Sequence, residues 1–133
     1  MSKIRIATCS CNLVTLRCSG DPASTIPFQC LQSQLRTGSI FGVQVGFLTE
    51  QTHIDGDVIT YTRIYEDGSE IIFHFCPRCG DTMLLKTEFA PDYVIVPVGL
   101  FNEQDFPIRG VSTYEEKSKG WIKFDSEIDQ FVK

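Results

Sequence analysis

Two close pairs of cysteines are the residues of this sequence whose types and spacing could do chemistry. The first pair lies in Cys9-Ser10-Cys11, and the second lies in Cys76-Pro77-Arg78-Cys79-Gly80. Two such pairs brought together supply the four thiolates that a structural zinc ion prefers. In the second pair, Pro77 favours a turn and Gly80 can take a positive φ, so backbone amides can point at the sulfur atoms. The spacing therefore predicts one structural zinc ion held by Cys9, Cys11, Cys76 and Cys79.

Other uses of the six cysteines stay open at this point. A thioredoxin-like redox pair at Cys76 and Cys79 would normally begin a helix, whereas the residues at 81–85 predict a strand. Cys18 and Cys30 have no close partner in sequence, and a lone cysteine is commonly a small buried hydrophobic residue. They could instead join Cys9 and Cys11 in a different four-sulfur set, which would leave the second pair without a purpose.

The remaining polar residues predict no reaction by themselves. His53 lies in a polar loop and His74 alternates within a predicted strand, so neither has the spacing of a metal ligand or a catalytic triad. The carboxylates can be interpreted equally well as solvated surface charges as catalytic groups. No set of serine, histidine and aspartate suggests nucleophilic catalysis.

Length and charge narrow the class of protein. The chain of 133 residues is expected to form a single domain, residues 1–133, because domains with one core commonly contain about 100–150 residues. The net charge is −5, and Lys and Arg do not cluster in any part of the sequence. Both observations argue against nucleic acid as a partner. No apolar stretch approaches a membrane span, and the first residues lack a signal-peptide core. We expect a soluble, cytoplasmic protein with reduced thiols, and access to the nucleus is not excluded.

The elements that must position the cysteines are mostly strands. Segments rich in β-branched and aromatic residues predict strands at 3–7, 13–17, 40–48, 58–65, 70–75, 83–87 and 93–98. The turn residues at 66–69 predict a hairpin across 58–75 that leads directly into Cys76. A short helix is predicted at 31–37, ended by Gly38, with a further turn at 126–131. Exposed loops are predicted at 20–24 and 50–56. The fold class is therefore mainly β.

Several motifs occur together in an order that resembles a known family. The sequence resembles the glutathione-dependent formaldehyde-activating enzyme family (GFA family), which includes centromere-protein-V-like proteins, across residues 7–131. The resemblance implies a β-tent type fold of antiparallel sheets in which the two outer cysteine pairs hold a structural zinc ion. The matching motifs are Cys9-Ser10-Cys11, Cys30 through Thr37-Gly38-Ser39, His74-Phe75-Cys76-Pro77-Arg78-Cys79-Gly80, Gly99-Leu100, Ser118-Lys119-Gly120-Trp121 and Ile128-Asp129-Gln130-Phe131.

The resemblance also implies a second, catalytic zinc ion, and here the sequence departs from the family. The three family cysteines that precede Thr37-Gly38-Ser39 fall on Phe28, Cys30 and Ser33, and a family glycine after the first pair is Asn12. A catalytic zinc ion needs about three protein ligands and one open position, so Cys30 is expected to be the remnant of a lost site.

Two functions follow from this comparison. The first is a zinc-binding member without catalysis or with altered activity, which could still hold a small thiol such as glutathione. The second is an active carbon-sulfur lyase of the family type, in which Arg36 or Gln34 near Cys30 would polarise the carbonyl.

Overall fold

Nine strands, one α-helix and two short 3-10 helices, at Thr49–Gln51 and Val98–Leu100, make up the regular structure of the described residues. The computed structural model describes residues 3–28, 31–40, 42–104 and 106. Among them, no helix is long and apolar enough to cross a membrane. In chain order the elements are β1 (Ile4–Thr8), β2 (Thr15–Ser19), β3 (Ser24–Phe28), α1 (Leu31–Thr37), β4 (Gly42–Leu48), β5 (Thr52–Asp55), β6 (Ile59–Ile64), β7 (Glu70–Phe75), β8 (Thr82–Thr87) and β9 (Tyr93–Pro97).

The strands form two sheets in which every pairing is antiparallel. The smaller sheet has the order β1-β2-β5, and the larger sheet has the order β3-β4-β9-β8-β7-β6. An isolated bridge between Ala7 and Phe101 connects β1 to the segment that follows β9. The prediction of a mainly β protein with antiparallel sheets is confirmed.

The main hydrophobic core joins the two sheets. Leu16 and Cys18 of β2 pack with Val45 and Phe47 of β4, and Phe101 lies 6.0 Å from Phe47 between ring centroids. Cys18 is fully buried, and this burial raises the pKa of its thiol to about 12. The prediction that Cys18 serves as a small buried residue is therefore confirmed.

The local predictions agree with the structure to within two residues at each strand end. The hairpin turn is closed by the Tyr65 amide, which donates to the Ser69 carbonyl at 2.9 Å, and Gly68 takes a φ of 87°. Helix α1 has the predicted bounds and ends at Gly38, whose φ is 74°. The turn predicted at 126–131 lies outside the described residues.

The two predicted loops are wrong in part, because each contains residues of a strand. Strand β5 occupies Thr52–Asp55 and pairs with β2, and strand β3 begins at Ser24 and pairs with β4. Strand β5 lies at the edge of its sheet, where polar side chains such as His53 and Asp55 remain exposed. An edge strand with one solvated face has a polar sequence, which the pattern alone assigns to a loop.

Candidate metal centre

The first cysteine pair lies in a tight turn between β1 and β2. The Cys9 amide donates to the Val14 carbonyl at 3.1 Å, and the Asn12 amide donates to the Cys9 carbonyl at 3.1 Å. Asn12 adopts a φ of 65°, a left-handed conformation that asparagine tolerates better than most residues other than glycine. This explains how asparagine can stand where the family resemblance places a glycine.

The second cysteine pair forms the connection between β7 and β8. The Cys76 amide donates to the Asp81 carbonyl and the Gly80 amide donates to the Cys76 carbonyl, both at 2.9 Å, with Gly80 at a φ of 82°. The amides of Arg78 and Cys79 point at Cys76 Sγ, at 3.3 and 3.4 Å. The predicted arrangement of amides around the sulfur is therefore confirmed. The chain continues into strand β8, which argues against a thioredoxin-like redox pair.

All four sulfur atoms lie within 4.8 Å of one another. Cys11 Sγ is 3.7 Å from Cys9 Sγ and 3.6 Å from Cys76 Sγ, and none of these cysteines forms a disulfide. Four sulfurs at about 2.3 Å from one zinc ion would be about 3.8 Å apart, so the donor set suits zinc in both chemistry and spacing. The alternative set that included Cys18 does not form, because Cys18 lies in the main core. Among the described cysteines, the first pair is grouped with Cys76 and Cys79.

The surroundings of the four thiols favour ionisation of some and oppose that of others. The Arg78 side chain, with the Leu13 amide, lowers the pKa of Cys11 to about 6. Burial opposes ionisation of Cys9, but hydrogen bonds beginning with that from the Val14 amide lower its pKa overall. The Asp81 amide favours ionisation of Cys79, yet burial and the neighbouring Cys76 and Cys11 raise its pKa to about 11. A bound cation would offset this accumulation of negative charge.

Two side chains connect the two cysteine turns. The Asp81 carboxylate accepts a hydrogen bond from the Ser10 amide at 2.7 Å and another from the Ser10 hydroxyl. These two contacts hold the pKa of Asp81 below its usual range. The Arg78 guanidinium donates to the Cys11 carbonyl at 2.9 Å. The sequence did not predict this contact between Asp81 and Ser10. The two residues are 71 positions apart, and no local pattern indicates that they form a hydrogen bond.

The other residues singled out in the sequence lie elsewhere. Ser33 is on α1, where its backbone carbonyl accepts a hydrogen bond from the Thr37 hydroxyl at 2.8 Å. Cys30 lies outside the described residues, so its role as a remnant of a catalytic site stays a prediction. His53 is exposed beside Asp55, with 3.2 Å between Nε2 and Oδ1. His74 is partly buried, and this burial, followed by the charge of Lys86, lowers its pKa.

Comparison with known proteins places the chain in a family. No curated protein matches the sequence at a significant level. The family model described as "Glutathione-dependent formaldehyde-activating enzyme" (GFA) matches residues 4–117, which is most of the chain and includes both cysteine pairs. The chain belongs to the glutathione-dependent formaldehyde-activating enzyme (GFA) family.

Proposed function

We propose that Cys9, Cys11, Cys76 and Cys79 bind one structural zinc ion within a β-tent type fold. The observation that carries this proposal is the convergence of four sulfurs within 4.8 Å from two turns of different sheets. Amides already point at Cys76 Sγ and at Cys9 Sγ, as expected for thiolates bound to a metal. Reduced thiols are required for this role, which suits a cytoplasmic setting.

The role of this ion is structural because four protein ligands leave no open position for a substrate. Cys9 and Cys76 are buried, and Val14 and Met83 pack beside them as a small apolar cluster. When bound, zinc would neutralise the thiolates and hold the two turns together. Zinc free energies on the order of 10 kcal/mol in small modules are comparable to the net stability of a whole domain.

Zinc content and chelation test this proposal. The purified protein should contain one zinc ion per chain by elemental analysis, and a strong chelator should remove the zinc and the β-sheet circular dichroism signal together. Zinc returned in stoichiometric amount should restore the signal. A metal-free protein with an unchanged melting temperature would contradict the structural role.

We further propose that the family's catalytic zinc site is lost in this chain. The resemblance aligns Phe28, Cys30 and Ser33 with three thiolate ligands, and the hydroxyl of Ser33 is a poor ligand for zinc at neutral pH. One thiolate would not hold a catalytic ion. The chain is then a member without catalysis or with altered activity, in which binding outlasts the reaction.

We propose a small thiol such as glutathione as the ligand of this chain. A groove beside the second cysteine turn supports this proposal. The groove has a volume of about 420 Å³, and Gly80, Thr82 and aromatic residues of β6 and β7 lie along it. Arg36 and Arg63 approach the Phe73 ring within it, with their Cζ atoms 4.8 and 5.4 Å from the ring centroid. Two guanidinium groups suit the carboxylates of such a thiol.

The alternative is an active carbon-sulfur lyase in which Arg36 or Gln34 polarises the carbonyl. Turnover of formaldehyde with glutathione separates the two functions. We expect one zinc ion per chain and no turnover in the wild type, and a second ion after Phe28→Cys with Ser33→Cys. Two ions in the wild type, or turnover at enzyme-like rates, would favour the alternative. A double variant that still binds one ion would show that the alignment of this segment is wrong.

A further inference from the structure

Strand β6 lies at one end of the larger sheet, and only one of its two edges is paired. Its neighbour is β7, and none of the described residues pairs with its other edge. The Tyr65 amide donates to the Ser69 carbonyl at 2.9 Å, which fixes the residues of the ladder that bond to β7. Because hydrogen-bonded residues alternate along an antiparallel pair, the amides and carbonyls of Thr60, Thr62 and Ile64 point away from β7. The free edge of β6 is therefore a row of backbone donors and acceptors.

The side chains of β6 are exposed and mostly β-branched or aromatic. Ile59, Tyr61 and Ile64 are 47%, 53% and 67% exposed. Thr60 and Thr62, which alternate with them, are exposed as well. The strand carries one charge and contains neither proline nor glycine. Such a composition favours β pairing and lacks the prolines and charges that usually protect an edge strand.

The other sheet edges in the described part of the chain are protected. Strand β3, at the opposite end of the larger sheet, contains Pro27, which has no amide proton to donate. In the smaller sheet, β5 has four residues and a polar sequence, and β1 forms a bridge between Ala7 and Phe101. Pairing through β6 would therefore not continue from the far end of the same sheet, and an assembly formed in this way ends at two copies.

We propose that β6 pairs with β6 of a second copy of this chain, in antiparallel orientation about a two-fold axis at Tyr61. Thr60 then bonds to the partner's Thr62 through the outward-facing backbone groups of both residues. Tyr61 lies opposite the partner's Tyr61, at a position where side chains approach most closely, and Val58 lies opposite the partner's Ile64. This inference goes beyond the proposed function, because neither zinc nor a small thiol requires a second copy.

Charge complementarity favours this register. Arg63 is the charged residue of β6, and Asp57, an even number of positions away, lies toward the same face. In the proposed register the partner's Asp57 is the diagonal neighbour of Arg63, within reach of a long side chain. A register centred on Thr62 would place Asp57 opposite the partner's Asp67, and opposed like charges are destabilising. A shift in the other direction would pair only residues 59–61 of the strand.

The strength of this association follows from the small contact. An interface of standard size buries about 800 Å² per partner with about 20–30 residues, so about seven residues of each copy bury roughly 250 Å². Main-chain hydrogen bonds supply much of the affinity when one strand is added to another. We therefore expect a reversible dimer with a dissociation constant of about 10–100 μM. Tyr61 and Arg63 also line the groove beside the second cysteine turn, so the partner's Tyr61 would lie at the rim of that groove.

Sedimentation equilibrium of the zinc-loaded protein, kept reduced, measures the association. The average mass of the wild type should rise from 15.0 kDa at about 1 μM toward twice that value at about 500 μM. Thr62→Pro removes an outward-facing amide and leaves the bonds to β7 in place, as edge strands tolerate. It should weaken dimerisation more than tenfold without lowering the melting temperature. Thr62→Val is the matched control, because it keeps the amide, and it should dimerise as the wild type does.

Charge and aromatic variants test the register. Arg63→Glu and Asp57→Lys should each weaken dimerisation about tenfold, since each opposes like charges at two symmetry-related positions. The double variant should return to within about threefold of the wild type, and no recovery would overturn the proposed pairing. Tyr61→Ala should weaken dimerisation about tenfold. Phe89→Ala is its control, because Phe89 is 71% exposed but lies outside β6, and equal effects of these two variants would also overturn the proposal.

Amide hydrogen exchange separates a second copy from other occupants of the edge. Exchange at Thr60, Thr62 and Ile64 should slow as the protein concentration rises, whereas exchange at Tyr61 and Arg63, which bond to β7, should change little. Slow exchange at the first three amides at every concentration would mean that another part of the same chain covers the edge, and it would overturn the proposal. A wild type that stays monomeric at about 500 μM, or that forms a continuous range of larger particles, would overturn it as well.

Discussion

Replacing Asp81 with alanine should weaken the proposed zinc site without removing any of its four sulfur ligands. The Asp81 carboxylate accepts two hydrogen bonds from Ser10, which lies between the two cysteines of the first turn. Asp81 itself follows the second turn and leads into β8. The substitution therefore cuts a direct connection between the two turns that carry the sulfurs.

The magnitude follows from the two hydrogen bonds. A hydrogen bond to a charged group contributes about 1.5–3 kcal/mol when it is shielded from water, and less when it is partly exposed. Ser10 is exposed and Asp81 is half-buried, so we take about 2 kcal/mol for the pair of bonds. If the loss falls on the zinc-bound state, affinity for zinc should decrease about thirty-fold. Loss of partners that orient metal ligands typically costs about 10–100-fold in metal affinity.

Competition with a fluorescent zinc chelator at constant pH measures this change. The matched control is Asp67→Ala, because Asp67 accepts the same pair of hydrogen bonds from the Ser69 amide at 2.9 Å and hydroxyl at 2.6 Å. That pair lies in the turn between β6 and β7 rather than at the cysteines. The control should bind zinc as the wild type does. Equal zinc affinity in the two variants would refute the role assigned to Asp81.

Three further predictions concern the thiols and the turns. Cys79→Ser should lower zinc affinity steeply and leave a largely unfolded chain, as measured by elemental analysis and circular dichroism, and a fully folded variant would argue against the site. Cys18 should resist alkylation in the folded protein near neutral pH, because it is buried and its thiol has a pKa raised to about 12. Peptide mapping measures the labelling, and labelling at the rate of a free cysteine would contradict this prediction. Gly80→Ala should cost about 1–2 kcal/mol of unfolding free energy from its positive φ alone, since a Cβ there meets open space. Gly56→Ala should cost about 3 kcal/mol, because its Cβ would also lie 2.5 Å from the Leu13 carbonyl oxygen, and denaturant titrations that rank the two variants in the opposite order would refute this reasoning.

Features encoded by neighbouring residues could be predicted from the sequence. The turn at Cys76 and Gly80, the hairpin before it and helix α1 each depend on residue types within a few positions. Proline, glycine and closely spaced cysteines restrict the backbone wherever they occur, so their effect is visible before the fold is known. The grouping of the four cysteines was predictable for a different reason, because zinc chemistry requires four ligands and the chain offers two suitable pairs.

Features that depend on distant pairing could not be predicted in this way. Strand β4 lies between β3 and β9, where Val45 pairs with Val96, and no local pattern specifies that neighbour. Strand β5 was missed because an edge strand can remain polar. Gln44 stands between Val43 and Val45 in a strand with apolar residues on both sides, and the sequence does not reveal that this polar residue is buried.

The two residues after the second cysteine turn connect the proposed metal site with helix α1. Asp81 fixes the first cysteine turn through Ser10, and Thr82 accepts a hydrogen bond from Arg36 of α1. A displacement of this stretch would therefore alter both the spacing of the two cysteine turns and the position of the Arg36 guanidinium over the Phe73 ring. Because binding free energies are reciprocal, any strengthening of zinc binding by a ligand in the groove that Arg36 and Thr82 line must be matched by an equal strengthening of that ligand's binding by zinc. The stretch after the second cysteine turn thus contacts both the first cysteine turn and Arg36 of α1.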